Sequence, residues 1–258
     1  MIIYGRNPVL EALSRPSSDI EEILISEESK KERFADAIKL ARERGVRVSF
    51  LSANALSRIA ETSSHQGIAA KVAEFEYAGL DEIINKARNK KESLLVLILD
   101  HIEDPQNLGA IIRTVNVLGG NGVVIPKDRA VSVTPAVVKA SAGATSFVPV
   151  ARVVNLVSTM KELKKKGIWV VGADQSAGKS VFQEELGKLD LAVVIGSEGK
   201  GLGRLVKEEC DFLVSIPNPG QVSSLNASVA AGIMIYEVIR QRGVLSGVLH
   251  SRGNPIDT

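Results

Sequence analysis

The feature that most constrains the fold is a series of six short apolar segments between residues 94 and 217, separated by stretches of helical periodicity. The segments are LLVLILD, NGVVIP, SFVPV, GIWVVGA, DLAVVIG and DFLVSIP. Continuously apolar strands that alternate with helices are typical of a parallel sheet covered by helices on both faces. We therefore predict an α/β domain over residues 93–243, followed by a loosely ordered tail at 244–258.

The N-terminal region, residues 1–75, is predicted to form a second, smaller α/β unit. Strand patterns in EEILISE and VRVSFL alternate with helical patterns, and SSHQGIAAKVAEF closes the region as a turn and a strand. This β-α-β-α-β order is typical of a compact unit. Residues 76–92 are polar and weakly helical, and we expect a linker and a leading helix there. The arginines that could share one face of the small unit, or simply be solvated, are Arg6, Arg42, Arg44, Arg47 and Arg58.

Composition excludes several function classes. Aromatic residues make up only 4% of the chain, which argues against base-stacking platforms, and a net charge of +2 permits a nucleic-acid partner without requiring one. The single Cys210 excludes an intrachain disulfide and multi-cysteine metal sites, and His65, His101 and His250 lack ligand spacing. We therefore expect no metal. Without a signal-like N-terminus or an apolar run of bilayer length, we also expect a cytoplasmic protein that does not contact membranes.

Two loops that follow apolar strands carry candidate binding residues. In the first, Asn107 and Gly109 open a helix that also carries Arg113. A helix start of this kind attracts anions and Arg113 could clamp a phosphate, although a capping asparagine and a surface arginine explain the same residues. In the second, Gly196 and Glu198 lie in a glycine-rich loop, where a ligand can approach the backbone. The carboxylate favours a cationic or hydrogen-bond-donating ligand over a phosphate, or else it simply caps the following helix.

The third candidate loop lies in IPNPGQVSSLNASVAAGIMIY, residues 216–236. Four hydroxyl and amide side chains fall within six residues, at Ser223, Ser224, Asn226 and Ser228, directly before an apolar helix. Helix capping requires fewer polar groups than this. A capped core helix and a ligand-binding loop remain equally good interpretations of this segment alone, but strand ends in α/β sheets are where ligands bind.

A fourth segment, ADQSAGKS at 173–180, resembles a phosphate-binding P-loop. The strict P-loop pattern requires glycine where Ala173 stands, and the ten residues VFQEELGKLD leave little room for the long helix that normally follows. A nucleotide hydrolase therefore remains only an alternative function.

The segments NLGAIIR, IGSEGKGLG and IPNPGQVSSLNAS resemble, in order and spacing, the three motifs of the SpoU/TrmH branch of the SPOUT methyltransferases. YGRNPVLEAL and HQGIAA are similar to the RNA-binding domain of RlmB-type 23S ribosomal RNA (guanosine-2′-O-)-methyltransferases, so the resemblance covers residues 4–242. It implies a trefoil-knotted parallel-sheet domain behind a small α/β, ribosomal-protein-like RNA-binding domain. One departure is the pair Asn218 and Pro219, where relatives more often carry methionine and a variable residue.

The resemblance also implies a function: S-adenosylmethionine-dependent 2′-O-methylation of RNA by a homodimer, with a guanosine of 23S ribosomal RNA as the expected target. Transfer RNA, an adenosine target and a non-catalytic RNA-binding module are the alternatives. Gly196, Ile216 and Leu225 are implied to line the adenosine pocket. The implied catalytic residues are Arg113, Glu198, Ser224 and Asn226, and the implied substrate contacts are Asn107 and Arg6. Arg113 is either the base or a phosphate clamp, because a guanidinium rarely loses its proton.

Overall fold

The chain forms two compact units, 1–76 and 77–258. The computed structural model describes residues 2–14, 20–73, 75–90, 92–222 and 224–243. The predicted loose tail, 244–258, and Ser223 therefore lie outside the described residues. Among the helices that are described, none is both long and apolar enough to cross a lipid bilayer.

In its described residues, the small unit is a mixed four-stranded sheet with three α-helices. Its elements are β1 (Ile2–Tyr4), α1 (Arg6–Ser14), β2 (Ile20–Ser26), α2 (Ala35–Glu43), β3 (Arg47–Leu51), α3 (Ala53–Ala60) and β4 (Ile68–Val72). The strand order is β1-β4-β2-β3, in which β2 and β3 are parallel and β4 runs antiparallel to β1 and β2. The β-α-β-α-β prediction missed β1, because a three-residue strand has too few positions to show alternation.

Arginine side chains of the small unit contribute to its internal structure. Arg6 pairs with Asp36 at 2.6 Å. Arg44 donates two hydrogen bonds of 3.1 Å to the carbonyls of Ala12 and Leu13, so it satisfies the C-terminal end of α1. These guanidinium groups connect α1 to α2. The shared arginine face stays a prediction.

Over the part that the structure describes, the large unit is a six-stranded parallel sheet with six α-helices. Its strands are β5 (Leu95–Leu99), β6 (Gly122–Pro126), β7 (Val150–Val153), β8 (Trp169–Ala173), β9 (Leu191–Ile195) and β10 (Phe212–Val214). Its helices are α4 (Leu80–Asn89), α5 (Pro105–Leu118), α6 (Pro135–Ala140), α7 (Leu156–Lys165), α8 (Arg204–Glu209) and α9 (Ala227–Gln241). Every neighbouring pair in the order β10-β8-β9-β5-β6-β7 is parallel. The predicted strand SFVPV is wrong in position, since 144–146 form a 3-10 turn and β7 begins at Val150.

Alternate residues of the central strands face two separate helical layers. Val96 and Ile98 of β5 pack in a cluster with apolar residues of α4, α7 and α8. Leu95 and Leu97 are fully buried outside that cluster, and α5 and α9 contact the neighbouring strands β6 and β9. Because side chains alternate along a strand, the two layers cover opposite faces of the sheet. The polar-looking α4 belongs to this core through Ile83, which is fully buried.

The strand order changes direction between β5 and β9. From β5 the chain continues outward through β6 and β7, and it then returns to the other half of the sheet as β8, β9 and β10. Loops that leave neighbouring strands in opposite directions open a crevice at the carboxyl ends of those strands. The loops after β5 and β9 therefore border the expected ligand site.

The C-terminal end of α9 is held by earlier parts of the chain. The Gln241 amide accepts hydrogen bonds from the backbone of Leu186 and Gly187 and donates to the carbonyl of Glu184. Arg242 donates to the carbonyls of Ser93, Leu94 and Leu189 at 2.7–3.0 Å. The segment before β5 and the connection between β8 and β9 therefore hold α9 in place.

Candidate active site

One carboxylate oxygen joins the three predicted motifs. Oε1 of Glu198 accepts hydrogen bonds from the Asn107 side chain at 2.8 Å and from the Asn226 side chain at 2.6 Å, and the Ala227 backbone N–H approaches it at 3.3 Å. The Asn226 amide also donates to the Asn107 side-chain oxygen at 2.8 Å. These three side chains come from α5, the loop after β9 and the start of α9, so the crevice brings together residues that are up to 119 positions apart.

Asn226 caps α9 and also belongs to the polar cluster. Its side-chain oxygen accepts from the backbone N–H groups of Ser228 and Val229, and also from the Ser228 hydroxyl, which makes it the N-cap of α9. Its NH₂ group is thereby oriented toward Glu198. Capping fixes the side chain that completes the polar cluster.

The glycine-rich loop after β9 forms a tight turn. The Gly201 backbone N–H donates to the Ser197 carbonyl at 2.9 Å, and Gly199 and Gly201 have φ values of +82° and +65°. Gly196 permits this close approach, because a Cβ on it would lie 2.2 Å from the Gly201 carbonyl carbon. The turn thus depends on glycines, and it positions Glu198.

A cavity of about 390 Å³ lies beside this turn, and we refer to it as the first cavity. Its wall contains the three residues that were predicted to bind the cofactor, Gly196, Ile216 and Leu225. It also contains two of the predicted catalytic residues, Glu198 and Ser224. Its volume lies in the range of small-molecule and cofactor sites. The third loop is stiffened by Asn218, whose side chain donates to the Val222 carbonyl and accepts from the Gly220 N–H.

The opposite wall of the first cavity contains residues that sequence reasoning assigned to a different function. Asp174, Gln175 and Ser176 follow β8, and the Lys207 ammonium pairs with Asp174 at 2.9 Å. Burial would raise the pKa of Asp174, but hydrogen bonds from Ser176 and Lys207 outweigh it and leave the pKa below its ordinary value. The sequence feature that could have identified this part of the cavity wall is the position of the segment directly after strand β8.

The P-loop interpretation of that segment is wrong. Lys179 pairs with Glu184 at 2.8 Å, and Ser180 caps only a three-residue 3-10 turn, Val181–Gln183, instead of a long helix. A P-loop requires the N-terminus of such a helix behind the phosphates.

Arg113 lies apart from the polar cluster of its own chain. Its side chain is exposed on α5 and does not line the first cavity. It is six residues from Asn107, which in a helix is about 9 Å along the axis and about 120° around it. Arg6 belongs to the small unit, where it pairs with Asp36. Within the described ranges, no group of His, Cys, Asp and Glu residues has the arrangement of a metal site.

Family models match both units of the chain. Residues 94–236 match the SpoU rRNA Methylase family, and residues 2–78 match the model for RNA 2′-O ribose methyltransferase substrate binding. The chain belongs to the SpoU rRNA methylase family. The prediction of an RNA methyltransferase with a parallel-sheet domain behind a substrate-binding domain is thereby confirmed. The RlmB type and the target nucleotide stay predictions.

Relatives and solved structures match almost the whole chain. A Bacillus subtilis (strain 168) protein with the provisional name TrmH family tRNA/rRNA methyltransferase YacO is 48% identical over 240 residues, which is 93% of this chain and 95% of the relative. The SpoU methyltransferase AviRb from Streptomyces viridochromogenes, in complex with AdoMet, is 27% identical with a TM-score of 0.65, covering 94% and 90% of the two chains. An AdoMet-bound rRNA methyltransferase from Sinorhizobium meliloti shares the fold, at 23% identity, a TM-score of 0.63 and coverage of 93% and 86%.

Proposed function

We propose that this protein transfers a methyl group from S-adenosylmethionine to a ribose 2′-hydroxyl of RNA, with a guanosine of 23S ribosomal RNA as the target. The observation that carries the proposal is the convergence of Asn107, Glu198 and Asn226 beside the first cavity. The small unit binds the RNA, in keeping with the substrate-binding family model that it matches. Transfer RNA remains the second candidate substrate, because the relatives' names cover both RNA classes.

The first cavity fits the cofactor in size and in the chemistry of its wall. Gly196 is part of the cavity wall, so a flat ligand can lie against the backbone there. Ile216 and Leu225 offer apolar surface to an adenosine group, and Asp174 and Gln175 offer polar partners. When bound, S-adenosylmethionine supplies an electrophilic methyl group on a cationic sulfonium.

The polar cluster orients the reacting groups. Glu198 is held by two asparagine amides, so its carboxylate has a fixed position at the cavity wall. A fixed carboxylate stabilises nearby positive charge, and the Ser224 hydroxyl at the same wall can hydrogen-bond to a ligand in the first cavity. Such positioning lowers the barrier of an in-line displacement because the reactants lose little further entropy.

In the transfer, the ribose O2′ forms a bond to the methyl carbon while the carbon–sulfur bond breaks and its electron pair goes to sulfur. The proton of the hydroxyl leaves to a base or to water. Arg113 serves this step as a base or, by holding the neighbouring phosphate, as a stabiliser of the developing alkoxide. A guanidinium group is a strong ligand for phosphate.

We propose further that two copies of the chain form the active enzyme and that Arg113 acts in the partner's site. This accounts for its exposed position away from its own cluster. The helices α5 and α9 pack together and expose Val117, Val229 and Tyr236, a set of apolar side chains suited to a self-complementary interface. The attachment of α9 to the segments around Leu94 and Leu186 is compatible with a trefoil knot in the large unit.

Mixed dimers test the function and the shared site together. Arg113→Ala and Asn226→Ala should each abolish methylation of ribosomal RNA that lacks 2′-O-methyl groups. Co-expression of the two variants should restore about a quarter of the activity, because half of the dimers are mixed and each of these has one intact site in a C2 dimer. Activity that stays absent in the mixture would place Arg113 in its own chain's site. Retained activity of the Arg113→Ala protein alone would remove its catalytic role.

Mapping of 2′-O-methyl positions in cellular RNA, with and without this protein, tests the substrate. A single guanosine of 23S ribosomal RNA should lose its methyl group when the protein is absent. A lost methyl group in transfer RNA would identify the second candidate. Unchanged maps, together with RNA binding but no methyl transfer by the purified protein, would indicate a non-catalytic RNA-binding module.

A further inference from the structure

A second cavity, of about 510 Å³, lies on the other side of the turn that carries Glu198. The loop after β5 contributes His101 and Glu103 to its wall, and the loop after β6 contributes Arg129. The turn itself contributes all residues of 197–203 except Gly199. Ser197, Glu198, Lys200 and Gly201 also line the first cavity. The two cavities therefore have a common wall, and ligands in them would be neighbours.

The wall of the second cavity presents cations that the fold itself does not use. Arg129 and Lys200 are exposed, and the part of the chain that the structure describes supplies no ion-pair partner for either. Glu198 is already engaged by the donors of Asn107 and Asn226. The wall therefore presents two available cations, Arg129 and Lys200, to an anionic ligand, together with the carboxylates of Glu103 and Glu198. Arginine and lysine at the rim of a cleft are the usual partners of phosphate groups.

Two residues of this cavity have left-handed backbone conformations that non-glycine residues rarely adopt. His101 has φ +58° and Arg129 has φ +55°. The conformation of His101 is stabilised by the buried Asp100. The Asp100 carboxylate accepts a hydrogen bond from the His101 ring Nδ1 at 2.5 Å and another from the Gly203 N–H at 2.7 Å. Strained residues that the surrounding structure holds in place are concentrated at binding sites.

The loop that carries Arg129 is anchored on both sides. The Lys127 N–H donates to the Val153 carbonyl at 2.7 Å, and the Val131 N–H donates to the Ile102 carbonyl at 2.9 Å. The latter bond ties this loop to the one that carries His101. Arg129 is therefore presented from a fixed backbone, which reduces the entropy lost when it binds a ligand.

We propose that the second cavity is the acceptor site, which binds the phosphate and ribose of one RNA nucleotide with Arg129 and Lys200 at the phosphate. This inference rests on the proposed methyl transfer to RNA and adds the place from which the acceptor approaches. A cavity of this volume accommodates one nucleotide. Glu198, in the common wall, then faces the cofactor on one side and the acceptor on the other.

The test is the variant Arg129→Gly, because glycine adopts φ +55° without strain and the fold is preserved. The matched control is Lys188→Ala, which removes a side chain that is 88% exposed and outside both cavities. With the full chain, we expect the KM for RNA to rise at least about tenfold in Arg129→Gly, since a charged hydrogen bond is lost. The slope of log affinity against log salt concentration should decrease in magnitude by about 1, which is the change expected for the loss of one phosphate contact. Calorimetry should show unchanged S-adenosylmethionine affinity, and Arg129→Lys should restore the salt slope.

The outcomes separate the two proposals. A wild-type protein that transfers no methyl group to any RNA refutes the proposed function and the acceptor site with it. A wild-type protein that methylates RNA, together with an Arg129→Gly variant whose KM and salt slope match those of Lys188→Ala, refutes the acceptor site alone. Loss of cofactor affinity in Arg129→Gly would also refute it, because the two cavities would then not be separate sites.

Discussion

Replacement of Gly196 by alanine should close the cofactor site while the rest of the large unit stays folded. A Cβ at this position would lie 2.2 Å from the carbonyl carbon of Gly201, 2.4 Å from its oxygen and 2.5 Å from the Leu202 nitrogen. All three atoms are backbone, so no side chain can rotate away. The turn that carries Glu198 must then move by about 1 Å to restore ordinary contact distances.

The magnitude follows from the cost of overpacking. Forced backbone shifts of this kind cost about 1–3 kcal/mol. If the turn moves into the first cavity, this corresponds to a roughly 5- to 150-fold loss of S-adenosylmethionine affinity. Gly178→Ala is the matched control, because a Cβ there meets nothing within 4 Å and its φ is not positive.

Ligand-linked thermal unfolding provides the assay. At a cofactor concentration of about one hundred times the Kd, the wild-type protein and Gly178→Ala should gain about 2.7 kcal/mol of stability. In a unit of this size that is a rise in Tm of about 5–10 °C. With a 5- to 150-fold weaker affinity, Gly196→Ala should gain only about 0.3–1.8 kcal/mol at the same cofactor concentration, and its Tm should rise correspondingly less. If it gains as much as Gly178→Ala, the first cavity is not the cofactor site.

Two further predictions concern buried groups. The hydrogen bonds from Arg240 lower the pKa of the buried Glu237 carboxyl, so its contribution to stability is present above the unfolded pKa near 4.5 and is lost as the pH falls through the lower folded pKa. Glu237→Gln should therefore reduce the free energy of unfolding by about 1–3 kcal/mol at pH 7 in urea titrations, and a deficit that does not shrink below pH 4.5 would contradict this explanation. Partial burial raises the pKa of the half-buried Cys210 thiol to about 12, so iodoacetamide should label it slowly at pH 7.5 in the native protein and rapidly in urea; equal rates would contradict this raised pKa.

The sequence was sufficient to predict the sheet and the meeting of the motif residues, for one physical reason. Parallel strands place their carboxyl ends at one edge, so polar residues that follow β5, β9 and β10 must approach one another. Asn107, Glu198 and Asn226 do meet there, and the fully apolar strands that carry their loops were correctly located. The 3-10 turn before β7 was mistaken for a strand, because SFVPV has the composition of a strand and only tertiary contacts determine where it begins.

Other parts of the site depend on contacts that no local pattern encodes. Lys207 on α8 forms an ion pair with Asp174, which follows β8. The two residues are distant in sequence, so this ion pair can be identified only in the folded structure. Arg129 lies in an irregular loop, PKDRAVSV, whose residues match no motif, and its relation to His101 arises from a backbone hydrogen bond between Val131 and Ile102. The proposed role of Arg113 depends on a second copy of the chain, which a single chain cannot display.

The position of α9 determines when, during synthesis, the protein can become an enzyme. Chains fold from the N-terminus as they are made, so the small RNA-binding unit and most of the parallel sheet can form early. Glu198 still lacks one of its asparagine partners at that stage, because Asn226 and the helix that it caps follow all six strands of the sheet in the chain. A chain that stopped before this point would retain the unit that matches the substrate-binding family model and would lack the complete polar cluster. Such a fragment would compete with the finished enzyme for the same RNA, so incomplete synthesis would inhibit the modification as well as fail to contribute to it.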